Sequence, residues 1–434
     1  MLDRLRPLAL FAAPFAALVL ASCAATTQTG ASARTASADD ETLVVLFAVD
    51  GLRWDSLELY DVPNMRALAA RGMQAEHLIP VTPTSTFVQF YSMATGLHPE
   101  DHGIINNNTW DRELEERFTN PQSMRDARWW HGEPFWITAE RQGVRTAIQF
   151  WLGSENQFDG DRPTRWFPYH HTMPYEDRPA AAMTWLDGPT ELRPRLIALY
   201  FDEPDSSGHR YGPDSDGYGA AIARVDAILG QMIDELDARG LLERTDFIFL
   251  SDHGMAEISN ERVITIDDHF DIDSVFIPEV HGRWGNSYQP YMNLYADDPA
   301  AAEAAYQAMK DLHPNLRVWR RGEMPDHIRI DHPTRGPDVF IMADAGWMLT
   351  SGRLPEPTRA LTMRGTHGYD ANDPSMHTVL IGAGPSFPAG ERTGPVRHLD
   401  MYALVTCLLG VTPVETEGDA DAVARLTGGR CPAN

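Results

Sequence analysis

The chain has 434 residues, 43% hydrophobic and 23% charged, enough for one large α/β core with insertions or for two domains. A formal net charge of −26 at pH 7 argues against non-specific nucleic-acid binding and favours solubility. It also means that an anionic substrate needs local positive charge, which bound metals supply, while the single lysine, Lys310, sits in no glycine-rich loop of the Walker type.

At the N-terminus, Arg4 and Arg6 precede an apolar run, Leu8–Leu20, that Pro14 interrupts and that is too short to span a membrane. This pattern predicts a signal peptide over 1–22. Leu20-Ala21-Ser22-Cys23 resembles a bacterial lipobox, so Cys23 is the expected lipidation site, with cleavage without lipid as the simpler alternative. Ala24, rather than an aspartate, follows the cysteine, and the expected location is the outer membrane facing the periplasm, with membrane contact through the lipid alone. Residues 23–41 carry the anchor and a small, polar stretch without periodicity, expected to be a flexible tether. An exported chain can keep a disulfide. Cys407 and Cys431 either tie the tail (413–434) to the last helix or stay as a buried and an exposed thiol.

Order is expected from Thr42. Leu43–Phe47 is continuously apolar, as a central strand buried on both faces should be. Thr146–Trp151, Leu196–Phe201, Phe247–Leu250, Val339–Met342 and Thr378–Ile381 read the same way. A helix is predicted over 219–239, with Ile222, Val225, Leu229, Ile233 and Leu236 on one stripe and Gly240 as the stop. Alternating strands and helices imply a mostly parallel sheet covered on both faces, with acids at the strand carboxyl ends converging in one crevice. Stretches near 106–140, 155–190 and 267–335, rich in Pro, His and Trp, read as excursions that build substrate pockets, with a strand of their own at Tyr291–Tyr295.

The chemistry-bearing residues lie in short motifs. Asp50 stands in FAVDG directly after an apolar run. Thr86 sits in PTSTF, ahead of a predicted helix; such clusters are common N-caps, but a metal-bound hydroxyl at a helix N-terminus is also a nucleophile beside an anion site. In DEPDSSGH, Asp205 and His209 are four residues apart, close enough to meet on one helical turn, and carboxylate with imidazole suits zinc. Asp252 and His253 in LSDHG stand at a strand exit, where both can turn into one crevice. His367 lies between glycines in RGTHGYD.

Taken in order, VDG, PTSTF, TGLHPEDHGIINN, FWLGSE, YFDEPDSSGHRYGP, SDHGM and GTHGYD resemble the nucleotide pyrophosphatase/phosphodiesterase family of the alkaline phosphatase superfamily, over residues 42–412. The resemblance implies an alkaline-phosphatase-like α/β/α sandwich and a hydrolase with two Zn2+ ions, other divalent metals not being excluded. By position it makes Asp50, Asp252 and His253 the ligands of the zinc that also binds Thr86, the nucleophile. Asp205, His209 and His367 match the ligands of the second zinc. Asn107 matches a residue that binds a phosphate oxygen, with Asn106 and Asn108 as register neighbours. Phe87, Tyr169 and Tyr200 fall at substrate-binding positions, the tyrosines where related proteins contact a nucleobase. Val88, Gln89, Phe90 and Leu152 depart from the family pattern at the pocket but remove no ligand. The expected reaction is cleavage of a nucleotide phosphodiester or pyrophosphate through a phosphothreonine. A choline- or lipid-headgroup phosphodiesterase is the alternative, for which Trp129, Trp130, Trp136, Trp166 and Trp284 are material for an aromatic cage. A non-catalytic envelope lipoprotein is the remote one. No protein partner is inferred.

Overall fold

The computed structural model describes residues 42–118, 122–281, 288–352 and 362–432. The predicted leader, Cys23, the tether and Trp284 lie outside these residues. The strands that carry the fold are β1 (Leu43–Asp50), β2 (Gly72–Ala75), β3 (Thr146–Gln149), β4 (Arg165–Phe167), β5 (Leu196–Pro204), β6 (Thr245–Ser251), β7 (Tyr291–Leu294), β8 (Leu316–Arg320), β9 (Val339–Ala343), β10 (Leu380–Ala383) and β11 (Glu391–Thr393). The helices that cover them are α1 (Pro63–Arg71), α2 (Thr86–Thr95), α3 (Asp205–Tyr211), α4 (Asp216–Ala238) and α5 (Asp400–Leu409).

Eight strands form one sheet in the order β11-β2-β10-β6-β1-β5-β3-β4. From β6 to β4 every pairing is parallel; β10 runs against both β6 and β2. Every residue of β1 is buried. Val44, Leu46 and Ala48 face a core shared with Phe90 and Met93 of α2 and Leu404 of α5. Val45, Phe47 and Val49 face the opposite core, shared with Met65 of α1 and Val225 and Leu229 of α4. Alternation along one strand thus feeds two cores, which is why its sequence reads as an unbroken apolar run. The arrangement is an α/β/α sandwich with a mostly parallel sheet.

α4 begins ahead of its apolar stripe because the Ser215 hydroxyl caps it, accepting from the Tyr218 N–H. β3 ends at Gln149, short of the apolar Phe150 and Trp151, because Phe150 turns to a φ of +71°. The Val339–Met342 run does not join the main sheet. It is β9, the middle of a separate antiparallel sheet β7-β9-β8. Val339 and Ile341 pack in one cluster and Phe340 and Met342 in another, so β9 also lacks alternation and reads like a strand of the parallel sheet. Trp129, Trp130 and Trp136 are core residues, at most 4% exposed, and cannot enclose a headgroup. Cys407 of α5 is bonded to Cys431, and the helix Ala420–Leu426 between them adds Val423 and Leu426 to the first core. Among the described residues, no helix is long and apolar enough to cross a membrane.

Candidate active site

The centre of the sheet, β6-β1-β5, delivers three acids to one edge. Asp50 closes β1, Asp252 directly follows β6, and Asp205 opens α3 directly after β5. The glycine after Asp50 permits this closeness: Gly51 has a φ of +74°, and a Cβ there would lie 2.8 Å from the Asp205 Cα. His209 stands one turn beyond Asp205, His253 follows Asp252, and His367 follows a short strand, Gly365–Thr366, that pairs with Ala256–Glu257.

These six side chains meet. His253 Nε2 lies 3.1 Å from Asp50 Oδ1 and 3.2 Å from Asp252 Oδ2. Asp205 Oδ1 lies 3.3 Å from His209 Nε2 and 3.5 Å from His367 Nε2. Asp50, Asp252 and His253 can offer ligand atoms within 4.8 Å of one another, and so can Asp205, His253 and His367. His253 therefore stands between the two groups, its ring stacked on that of His367 with centroids 3.4 Å apart.

Hydrogen bonds behind the cluster set its chemistry. Nδ1 of His209, His253 and His367 lies against the carbonyls of Gly365, Gly254 and Thr84 at 2.9, 3.0 and 2.7 Å. A carbonyl only accepts, so each Nδ1 carries the proton and each Nε2 turns a bare lone pair inward. Burial holds all three imidazoles below their usual range, His253 at about 3. The carboxylates are arranged likewise. Asp252 Oδ1 accepts from the backbone N–H of Gly51 and of His253, and Asp50 Oδ2 accepts from the Tyr200 hydroxyl. Asp50 Oδ1, Asp205 Oδ1 and Asp252 Oδ2 are buried with no hydrogen-bond partner. Burial pushes Asp50 up to about 6, and burial with repulsion from Asp50 pushes Asp205 and Asp252 well above the usual range. Buried carboxylate oxygens without hydrogen-bond partners, beside imidazole nitrogens whose lone pairs turn inward, fit divalent cations of the zinc type.

Thr86 opens α2 beside this cluster, its Oγ1 3.2 Å from His253 Nε2. Ser85, the N-cap, makes no side-chain cap bond. Instead the Phe87 N–H donates to Asn107 Oδ1 at 3.2 Å, which leaves the Asn107 NH2 as a donor. Asn106 is 2% exposed and bound to Glu279, so the structure separates the two asparagines that sequence leaves adjacent. Phe87 is partly buried, edge-on to Phe118. Tyr169, 37% exposed, lies with its ring 5.9 Å from that of Tyr200. Tyr200 is itself buried, and its hydroxyl is committed to Asp50. That contact escaped sequence reasoning, because a tyrosine in an apolar strand carries no signal of what its hydroxyl meets.

The model of the type I phosphodiesterase/nucleotide pyrophosphatase family matches residues 44–370. The chain belongs to this family. Relatives include the bis(5'-adenosyl)-triphosphatase enpp4 of Xenopus laevis, 31% identical over 384 residues, 86% of this chain and 79% of that protein. The venom phosphodiesterase of Naja atra is 32% identical over 390 residues, and the match takes in only 46% of its length. This family member thus spans about half of the venom enzymes it matches. Murine ectonucleotide pyrophosphatase/phosphodiesterase 5 superposes with a TM-score of 0.81 at 29% identity, covering 89% of this chain and all of that one. An inactive threonine-to-alanine form of the same murine protein, in complex with AMP, gives the same score.

Proposed function

We propose that this family member is a two-metal hydrolase that cleaves phosphodiester or pyrophosphate bonds of nucleotides through a phosphothreonine at Thr86. The carrying observation is the Thr86 hydroxyl 3.2 Å from His253 Nε2, the same nitrogen that lies beside the buried, unpartnered oxygens Asp50 Oδ1 and Asp252 Oδ2. Asp50, Asp252 and His253 would hold one zinc, and Asp205, His209 and His367 the other. When bound, the two cations supply Lewis acidity to the threonine hydroxyl, the phosphoryl oxygens and the leaving oxygen.

The chain's own groups do the rest. Thr86 Oγ1 attacks phosphorus in line and the leaving alcohol or phosphate departs on the opposite side. The Asn107 NH2 donates to a non-bridging oxygen, and the start of α2 favours the anion. Phe87 and Tyr169 flank a nucleobase. Water then displaces Thr86 in a second in-line step, so configuration at phosphorus is retained. The threonine-to-alanine form of the murine neighbour is inactive and binds AMP, which supports both the nucleophile and the nucleotide reading. The lipobox at Cys23 supports an exported, lipid-anchored protein.

The deciding assay compares a nitrophenyl ester of thymidine monophosphate with nitrophenyl phosphate on the zinc-loaded protein. The expected result is strong preference for the diester, lost in Thr86→Ala while metal content stays. Preference for the monoester would overturn the diesterase assignment, and an active Thr86→Ala would overturn the nucleophile.

A further inference from the structure

A buried polar chain outside the metal edge links the segment that carries Thr86 to the one that carries Asn107. It ends on Glu279, in the short helix Pro278–His281, whose carboxylate Oε1 accepts from Asn106 Nδ2 at 2.6 Å and from Asn293 Nδ2 at 3.0 Å. Asn106 Oδ1 accepts from the Tyr291 hydroxyl, and the Tyr291 oxygen lies 2.7 Å from Ser85 Oγ. Tyr291 has one hydroxyl proton and gives it to Asn106, so Ser85 is the donor to Tyr291. The direction is therefore uniform: Ser85 to Tyr291 to Asn106 to Glu279. All four residues are at most 4% exposed.

Two members of the chain, Ser85 and Asn106, adjoin the proposed chemistry in sequence. Ser85 immediately precedes Thr86, and its hydroxyl is turned toward Tyr291 rather than onto its own helix. Asn106 immediately precedes Asn107, and its carbonyl accepts from Thr109 Oγ1 at 2.9 Å. Asn107 then closes the circuit by accepting the Phe87 N–H. A buried carboxylate is a costly way to hold an amide that a neutral acceptor would also hold. Burial pushes Glu279 up to about 7, despite the asparagine amides that favour its charged form; Arg117 is the cation that faces it, and the Tyr291 and Tyr295 hydroxyls are its other titratable neighbours. Groups held at such cost concentrate at functional sites.

We propose that Glu279 is a positioning residue: through Asn106, Tyr291 and Ser85 it fixes the placement of Thr86 relative to Asn107 for in-line attack. The inference rests on the phosphodiesterase reading above. Tyr291→Phe tests it with the least disturbance, since the ring, which packs under Gly368, is kept while the chain is cut. On the nitrophenyl diester, kcat should fall about tenfold or more while KM stays within about twofold, the pattern of an interaction made only in the transition state. Zinc content and circular dichroism should match the wild type. Glu279→Ala should lose kcat in the same way, and Glu279→Gln, which keeps an acceptor for Asn106, should recover most of it. Wild-type kcat in zinc-replete Tyr291→Phe overturns the proposal, even where Glu279→Ala fails to fold. A Gln variant as slow as the Ala variant overturns the acceptor role of Glu279. A wild-type protein inactive on the diester overturns the function and this inference together; an active one with an unaffected Tyr291→Phe overturns this inference alone.

Discussion

Asp50 divides its two oxygens between protein and site: Oδ2 takes the Tyr200 hydroxyl, and Oδ1 faces His253 without a hydrogen bond. A hydrogen bond behind a ligating group orients it, and its loss typically costs 10–100-fold in metal affinity, roughly the effect expected here. Tyr200→Phe should therefore weaken zinc by about that factor without changing the fold. Competition with a chelator of known affinity measures it; an unchanged affinity would remove Tyr200 from the metal site. The same cluster sets the pH dependence of binding. In the metal-free protein burial raises Asp50 to about 6 and holds Asp205 and Asp252 well above the usual carboxylate range, while it holds the three histidines below theirs. Zinc takes deprotonated carboxylates, so binding near pH 6 must release protons, and affinity must fall as pH drops through that range. Calorimetry in buffers of different ionisation enthalpy reads the proton count directly; no release at pH 6 would mean that the carboxylates do not enter the coordination.

At the level of elements, the closeness of three strand ends depends on glycine. Alanine at Gly51 would hold a left-handed φ, at a cost on the order of 1–3 kcal/mol, and drive its Cβ to 2.8 Å from the Asp205 Cα. Gly51→Ala should lower both melting temperature and zinc content, whereas Gly188→Ala, where a Cβ meets nothing within 4 Å, should change neither. A Gly51→Ala protein with full zinc content would show that β1 and α3 can separate without losing the site. The glycine is legible in the sequence as the G of VDG, and so are Asp50 and Asp252, because an acid that ends an unbroken apolar run marks the carboxyl end of a buried parallel strand. β9 is not assignable in this way, since burial on both faces erases the alternation that distinguishes an antiparallel strand. Glu279 and Tyr291 are also hidden. Tyr291 opens a predicted strand and Glu279 lies in a stretch without clear periodicity, but what gives them meaning is contact with Ser85 and Asn106, 206 and 173 residues away in the chain, which no local pattern encodes. The mutual approach of the seven motif residues is predictable only from their joint order, because each motif alone suits a turn, a cap or a surface pair.

Across the whole molecule, the C-terminal segment is held covalently to the face of the sandwich that carries α2. Cys431 is 2% exposed, and the bond to Cys407 closes a separation of 24 residues. Within it, Val423 and Leu426 pack against the same core as α2 and α5, so packing and covalent closure favour one conformation. Closing a loop of this size restricts the unfolded chain and stabilises by about 3 kcal/mol in the entropic treatment. The double variant Cys407→Ser/Cys431→Ser should therefore unfold at lower denaturant with a loss of roughly 2–4 kcal/mol. Its zinc content and diester kcat should be kept, because neither cysteine supplies a group to the edge formed by β6, β1 and β5. The prediction also bears on compartment. A reducing cytosol keeps such thiols free, whereas an exported chain meets oxidising conditions. Protein recovered after export should show neither Cys407 nor Cys431 reactive to a thiol reagent in denaturant, and protein made in a reducing cytosol should show both, with the lower stability of the double variant. Equal stability of the two preparations, with both thiols free in one, would mean that apolar packing of Val423 and Leu426 alone holds the segment in place.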